Sequence, residues 1–251
     1  MHLTGKHAFI TGGGTGIGLA IARALAADGA TVTLTGRRQN VLDNAAIEIG
    51  GLALALDVTD PLAVRDVTAH AIEQQGPIQI CVANAGIAEG KALHKMELEF
   101  WRKIMATNLD GAMLTIQACL PSMLESGWGR VIGVSSIAGV RGLRGAPAYT
   151  ASKHGLIGLL RALSEDHMGG DVTFNALCPG YVETDIVTQN TTSISARAGI
   201  SEAEARDMMV RANRHKRLID PQEVAAAAAW LCGPGSGSIN GQTIEIAGGQ
   251  V

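Results

Sequence analysis

The stretch "AYTASKHG" sets Tyr149 and Lys153 four residues apart in a segment of helical character, which places both on one face of a helix. An ordinary phenol titrates near ~10 and is a poor base at neutral pH. A lysine ammonium close by favours the phenolate and lowers that pKa. A tyrosine so placed can give a proton to a carbonyl oxygen or take one from an alcohol. Thirteen residues before Tyr149, "GVSSI" carries Ser135 and Ser136 at the end of an apolar run. The same string breaks the GxSxG nucleophile elbow at its last position, which argues against a serine hydrolase.

A second constellation lies near the N-terminus. "TGGGTGIG" (Thr11 to Gly18) joins an apolar run to an alanine-rich stretch. A strand passing through glycines into a helix N-terminus offers backbone N–H groups and a positive dipole end to an anion. Glycine also lets the backbone turn sharply and approach a phosphate closely. The NTPase phosphate loop is excluded, because Gly18 is followed by Leu19 and Ala20 instead of Lys and Ser/Thr. The GxGxxG spacing fails too; what stands is Gly12, Gly16 and Gly18. About 20 residues beyond such a loop, folds that prefer NAD carry an acid for the ribose 2′-hydroxyl. Here "TVTLTGRRQN" puts Gly36, Arg37 and Arg38 at that place. Arginine repays a 2′-phosphate with charge-assisted hydrogen bonds. NADP(H) is therefore expected over NAD(H), with Arg37 the first candidate and Arg38 the second.

The elements that must position these residues follow from periodicity. "HAFIT", "TVTLT", "LALAL", "IQICVA", "RVIGV", "VTFNAL" and "TIEIA" read as buried strands, with amphipathic helical patterns between them. This alternation predicts an α/β fold, a doubly wound parallel sheet of about seven strands with helices on both faces. No linker, repeat or low-complexity tract interrupts the chain, so one domain over 1–251 is expected. At 47% hydrophobic and 17% charged residues, the chain can bury a full core. A net charge of -3 makes no electrostatic case for nucleic acid or an anionic membrane. No secretory signal or spanning run is visible, and Cys81, Cys119, Cys178 and Cys232 form no CxxC pair. Cytoplasmic location, reduced buried thiols and no metal site are expected. Tyr181 to Arg217 supplies a Ser/Thr-rich segment and a charged helix where a short connection would suffice, which suggests a lid of about 181–217 over an active site.

In their order along the chain, "TGGGTGIG", "LDVTD", "NAG", "TNLDG", "VSSIAG", "YTASK" and "NALCPGYVETD" resemble the short-chain dehydrogenase/reductase family, in its single-domain branch. The resemblance runs through nearly the whole chain. It implies a catalytic tetrad of Asn108, Ser136, Tyr149 and Lys153. In it, Ser136 holds the substrate oxygen and Asn108 binds a water linking Lys153 to solvent. It also implies cofactor contacts from Gly12, Gly14, Thr15, Gly16, Ile17 and Gly18 at the pyrophosphate, and from Asp57 and Val58 at the adenine. Asn84, Ala85 and Gly86 pack beside the cofactor, as do Pro179, Gly180 and Val182. Thr184 holds the nicotinamide carboxamide, Thr107 adds a contact, and Tyr149 and Lys153 touch the cofactor as well.

"PGYVET" is most similar to 3-oxoacyl-thioester and polyketide ketoreductases. A ketone/secondary-alcohol oxidoreductase is thus expected, with an acyl thioester as substrate. The alternatives are a dehydrogenase of a small free alcohol (sugar, steroid or aromatic) and a non-catalytic dinucleotide sensor. The C-terminal strand and "AGGQV" tail resemble members that form homotetramers. Arg141 and Arg144 could meet an anionic substrate, and His94 could line the pocket. The basic end of "SEAEARDMMVRANRHKR" could meet the phosphates of a coenzyme A or carrier-bound acyl group.

Overall fold

β1 (His7–Thr11) is buried at every position, as a strand must be when neighbours flank it and helices cover both faces. It pairs in parallel with β2 (Thr31–Gly36) on one side and β4 (Ile78–Ala83) on the other. β3 (Leu52–Ala55) lies outside β2, while β5 (Gly129–Val134), β6 (Val172–Pro179) and β7 (Thr243–Ile246) continue beyond β4. The sheet order is β3-β2-β1-β4-β5-β6-β7, and every pair is parallel. The computed structural model describes residues 1–249, apart from the side chains of Ile186, Gln189, Ser193 and Arg197.

All seven expected strands are present, and only their ends differ. β6 runs two residues further than its apolar pattern, through Pro179, which pairs with Ile246 as the last rung. A proline is tolerated at that end because Gly180 supplies the next N–H, to the Ile246 carbonyl at 2.9 Å.

The connecting helices are α1 (Gly16–Ala27), α2 (Gln39–Ile49), α3 (Pro61–Gln75), α4 (Leu98–Met105), α5 (Gly111–Ser126), α6 (Pro147–Asp166), α7 (Asp185–Ala198), α8 (Glu202–Ala212) and α9 (Pro221–Cys232). Alternation along the strands feeds two cores. Ile10, Ile80 and Ile132 pack with Ile21 and Leu25 of α1 and Val224 and Ala228 of α9. Their neighbours Phe9, Cys81 and Val131 pack on the opposite face with Ile116 of α5 and Leu156 and Leu160 of α6. Close approach of α6 depends on Gly133, where a Cβ would lie 2.7 Å from the Leu160 side chain. That approach brings the face of α6 bearing Tyr149 and Lys153 over the end of β5.

The expected 181–217 excursion folds as α7 and α8, joined at Ser201, whose hydroxyl and Glu204 form a reciprocal capping box. Its own core is small: Val187, Met209 and Leu218. Among the described residues, no helix is long and apolar enough to cross a membrane.

Candidate active site

The strand order reverses between β1 and β4, and a crevice at such a switch point is where open α/β sheets bind ligands. The glycine loop lies there. Gly12 and Gly16 have φ of 64° and 54°, the left-handed region that glycine enters without penalty. A Cβ on Gly18 would collide with the Gly12 carbonyl and lie 2.6 Å from Asn84 Nδ2. Gly14 lies against Val41 and Leu42 of α2, so its smallness serves packing.

Asn84 Nδ2 donates to the carbonyls of Thr11 (2.9 Å) and Gly12 (3.1 Å). The buried Thr11 hydroxyl accepts from the N–H groups of Asn84 and Ala85, both at 3.1 Å. The ends of β1 and β4 are therefore locked together beside the N-terminus of α1. Thr15 precedes that helix and its side chain makes no cap hydrogen bond. The first-turn N–H groups have no intrahelical acceptor, which suits them to an anionic diphosphate.

At the end of β2, Arg37 and Arg38 are exposed. Across from them, Asp57 Oδ1 accepts from the Thr59 N–H (3.0 Å) and hydroxyl (2.8 Å). These bonds hold its carboxyl below the usual range, and the Arg37 charge adds to the effect. Val58 is buried against Gly111, where a Cβ would sit 2.6 Å from Val58 Cγ2. Thr107 turns its hydroxyl to the Lys103 carbonyl at 3.1 Å.

The second half of the site stands on β5 and α6. Ser136 lies two residues past β5, and its Oγ accepts from the Ala138 N–H at 3.1 Å. It stands beside Tyr149 on the cavity wall and favours that residue's phenolate. Lys153 is buried, donates to the Val134 carbonyl at 2.8 Å, and has its Nζ 5.8 Å from the centre of the Tyr149 ring. Burial pushes the Lys153 ammonium down to about 8. Burial also raises the Tyr149 pKa, and Ser136 pulls it partly back. Lys153 is not among the causes of this shift, and its ammonium is engaged by the Val134 carbonyl.

Asn108 occupies a π-helical turn (Ala106–Asp110) between α4 and α5 and is 1% exposed. Its Oδ1 accepts from the Ile87 N–H (2.8 Å), and Nδ2 donates to the Ile87 carbonyl (2.9 Å) and Ser152 Oγ (3.1 Å). Three of the four hydrogen bonds this amide can make thus clamp the backbone after β4 and Ser152. Gly86 needs to be small there: a Cβ would stand 3.3 Å from Asn108 Oδ1 and 3.5 Å from Lys153 Nζ.

These elements enclose a cavity of about 530 Å³. Of the expected site residues it is lined by Ile17, Asn84, Gly86, Ser136, Tyr149, Lys153, Pro179, Gly180, Val182 and Thr184. Arg37, Arg38, Asp57 and Val58 lie off it, beside the ends of β2 and β3. Val187, Asn190 and Ile194 of α7 and Met208 of α8 close its other side. Tyr181 lines it too, so both tyrosines of the chain face one space.

Across nearly its whole length the chain has relatives with this architecture. The family model described as short chain dehydrogenase matches residues 6–195. The chain belongs to the short-chain dehydrogenase/reductase family. It is 34% identical to the D-beta-hydroxybutyrate dehydrogenase of Rhizobium meliloti, covering 97% of this chain and 98% of that one. It is also 34% identical to the 3-oxoacyl-[acyl-carrier-protein] reductase FabG of Vibrio cholerae, over 99% and 98% of the two chains. Among solved structures, a variant of actinorhodin polyketide ketoreductase with NADPH superposes with a TM-score of 0.95. It shares 32% identity and the match covers 99% and 98% of the chains. This short-chain dehydrogenase/reductase is accordingly an NAD(P)-dependent oxidoreductase.

The remaining candidates separate cleanly. Arg144 lines the cavity and has no ion pair or hydrogen bond among the described residues, whereas Arg141 is not part of the lining and its charge favours the Tyr181 phenolate. His94 sits on a short 3-10 turn outside the lining, and His154 bonds the Thr150 carbonyl one turn back. The basic residues around α8 are largely spent within the fold: Arg211 on Asp207, Arg206 on Glu183 and Arg217 on Glu223. In the basic end of that run, Arg214 and Lys216 are exposed and have no ion pair among the described residues. All four cysteines are buried thiols. The last two residues of the "AGGQV" tail lie outside the described residues.

Three residues that shape the site had no role of their own assigned from the sequence. Thr11 looked like the edge of the glycine loop, Ile87 acts through its backbone, and Asn213 sits in a charged run.

Proposed function

We propose that this enzyme interconverts a ketone and a secondary alcohol with NADP(H), and that its substrates are of the 3-oxoacyl-thioester type. The observation that carries the reading is that Ser136, Tyr149 and Lys153 line one cavity together, with buried Lys153 one helical turn beyond Tyr149. The glycine loop and the N-terminus of α1 hold the cofactor diphosphate, Arg37 and Arg38 the 2′-phosphate, and Asp57 and Val58 the adenine. Asn84 to Gly86, Thr107, Pro179, Gly180, Val182 and Thr184 complete that site. NADPH, when bound, supplies the hydride for the carbonyl carbon. Tyr149 gives its hydroxyl proton to the carbonyl oxygen, and the Ser136 hydroxyl donates a hydrogen bond to the same oxygen. The Lys153 ammonium then stabilises the phenolate left behind. Asn108 acts by fixing Ile87 and, through Ser152, the backbone of Tyr149.

Residues 1–251 work as one catalytic unit, α7 and α8 forming the lid, and β7, at the sheet edge, serves assembly of a homotetramer. The FabG-like and polyketide-ketoreductase-like sequences support the thioester class. A second reading, a small free hydroxy acid, is favoured by unpaired Arg144 on the cavity wall and by the likeness to a hydroxybutyrate dehydrogenase. Loss of NADPH absorbance with a 3-oxoacyl thioester supports the first reading. Turnover of free 3-oxo acids alone favours the second, and turnover of neither removes both.

A further inference from the structure

We propose that Asn213 is a positioning residue that fixes the substrate-facing wall of the cavity at Tyr181 and so governs which ketones bind. This rests on the ketoreductase reading of the cavity. Asn213 follows α8 and is wholly buried. Its Oδ1 accepts from the Tyr181 N–H at 3.1 Å, and its Nδ2 donates to the carbonyls of Tyr181 at 2.9 Å and Arg217 at 2.8 Å. Three of the four hydrogen bonds an amide can make are thus used on backbone. A buried amide carries a desolvation cost that an apolar side chain would not, so its value lies in what it holds.

What it holds is the turn after β6. The Tyr181 carbonyl also accepts from the Ile219 N–H, and the Glu183 N–H bonds the Ile219 carbonyl, each at 2.9 Å. Between them Val182 and Ile219 form a parallel bridge. The chain reverses from Asn213 to Ile219 through Lys216, which has φ 58° and donates its N–H to the Asn213 carbonyl at 2.8 Å. The Tyr181 side chain both lines the cavity and packs on Val187, Met209 and Leu218. It therefore links the lid core to the space beside Tyr149.

The opposite wall is built the same way. Asn108 bonds both the N–H and the carbonyl of Ile87, and Ile87 lines the cavity after β4. Each wall thus has one buried asparagine gripping one lining residue by its N–H and carbonyl. Asn213 touches none of the reacting groups, so its effect must pass through Tyr181.

The test is a double-mutant cycle of Asn213→Ala and Tyr181→Ala, reading ketone KM and kcat together with NADPH affinity. Loss of a buried hydrogen-bonding clamp predicts a ketone KM about tenfold higher for Asn213→Ala, with NADPH affinity unchanged. In the Tyr181→Ala background the same change adds nothing, because the two act as one unit. Additive effects, an unchanged KM, or a matching loss of NADPH affinity would overturn the proposal.

Hydrogen exchange gives a readout that needs no turnover. Asn213→Ala should deprotect the Tyr181 and Glu183 amides and leave residues 12–18 untouched; unchanged protection at Tyr181 counts against the clamp. If the wild type reduces no ketone, the ketoreductase reading falls and hydrogen exchange still decides the role of Asn213. Should Asn213→Ala not fold, Asn213→Ser keeps one short polar group and loses the paired grip on the Tyr181 N–H and carbonyl, and an intermediate KM is expected. A wild-type KM in Asn213→Ser would contradict the clamp.

Discussion

The glycine loop on one side of the cavity and the α7–α8 lid on the other are held by different means. On the loop side, Thr11 and Asn84 tie β1 to β4 with four hydrogen bonds, and glycines leave no room for a Cβ. The loop also roots in the large core shared by α1, α9 and the sheet. The lid has a core of three buried side chains, a clamp at Asn213, and ion pairs at Glu183, Asp207 and Glu223 that face solvent. Exposed pairs contribute ~1 kcal/mol at most. A closely tied glycine loop thus faces a wall with fewer buried contacts, the usual source of segments that adapt to ligands. In the proposed reading the first side holds the cofactor and the second governs substrate choice.

The contrast can be broken most forcefully at Gly18. Gly18→Ala drives a methyl into the Gly12 carbonyl and Asn84, and overpacking of this kind predicts about 100-fold weaker NADPH binding in a fluorescence titration. Near-normal binding would show that the loop is not rigid.

Next is the buried ammonium. Lys153 has its pKa lowered by burial to about 8, so between that value and the unfolded one the unfolded chain binds more protons. Stability from this group therefore rises with pH across the window, and the cost of its burial is fully present below it. Relative to Lys153→Met, the wild type should gain about 2 kcal/mol in urea unfolding between about pH 7.5 and 9.5. A flat difference would place Lys153 in a wetter site than the structure shows.

Cofactor choice comes third. Arg37→Asp should lower kcat/KM for NADPH roughly tenfold and raise it for NADH. A wild type that already prefers NADH removes the 2′-phosphate assignment. The smallest effect is expected in the lid: Met209→Ala should raise the ketone KM only about threefold, with NADPH affinity unchanged. If it weakens NADPH as Gly18→Ala does, the two sides are not independent.

The same division explains what the sequence made legible. Strand–helix alternation, glycine spacing and the Tyr149–Lys153 pair are local patterns, and the sheet they predict is the one observed. Contacts between distant segments left no pattern to read. Asn108 was visible as a polar residue in an apolar helix, yet its partner Ile87 is 21 residues away and bonds through its backbone. Asn213 and Tyr181 are 32 residues apart and meet only because the lid folds back. The upward shift at Tyr149 depends on burial, which the spacing of Tyr149 and Lys153 does not encode.

The central claim is that Tyr149 is the proton donor in an otherwise preformed site. Tyr149→Phe removes one oxygen and keeps the ring, so NADPH binding and NADPH-dependent ketone reduction can be measured on the same folded protein. The account predicts a fall in kcat of about 1,000-fold with NADPH affinity intact. Ketone reduction near the wild-type rate would contradict it.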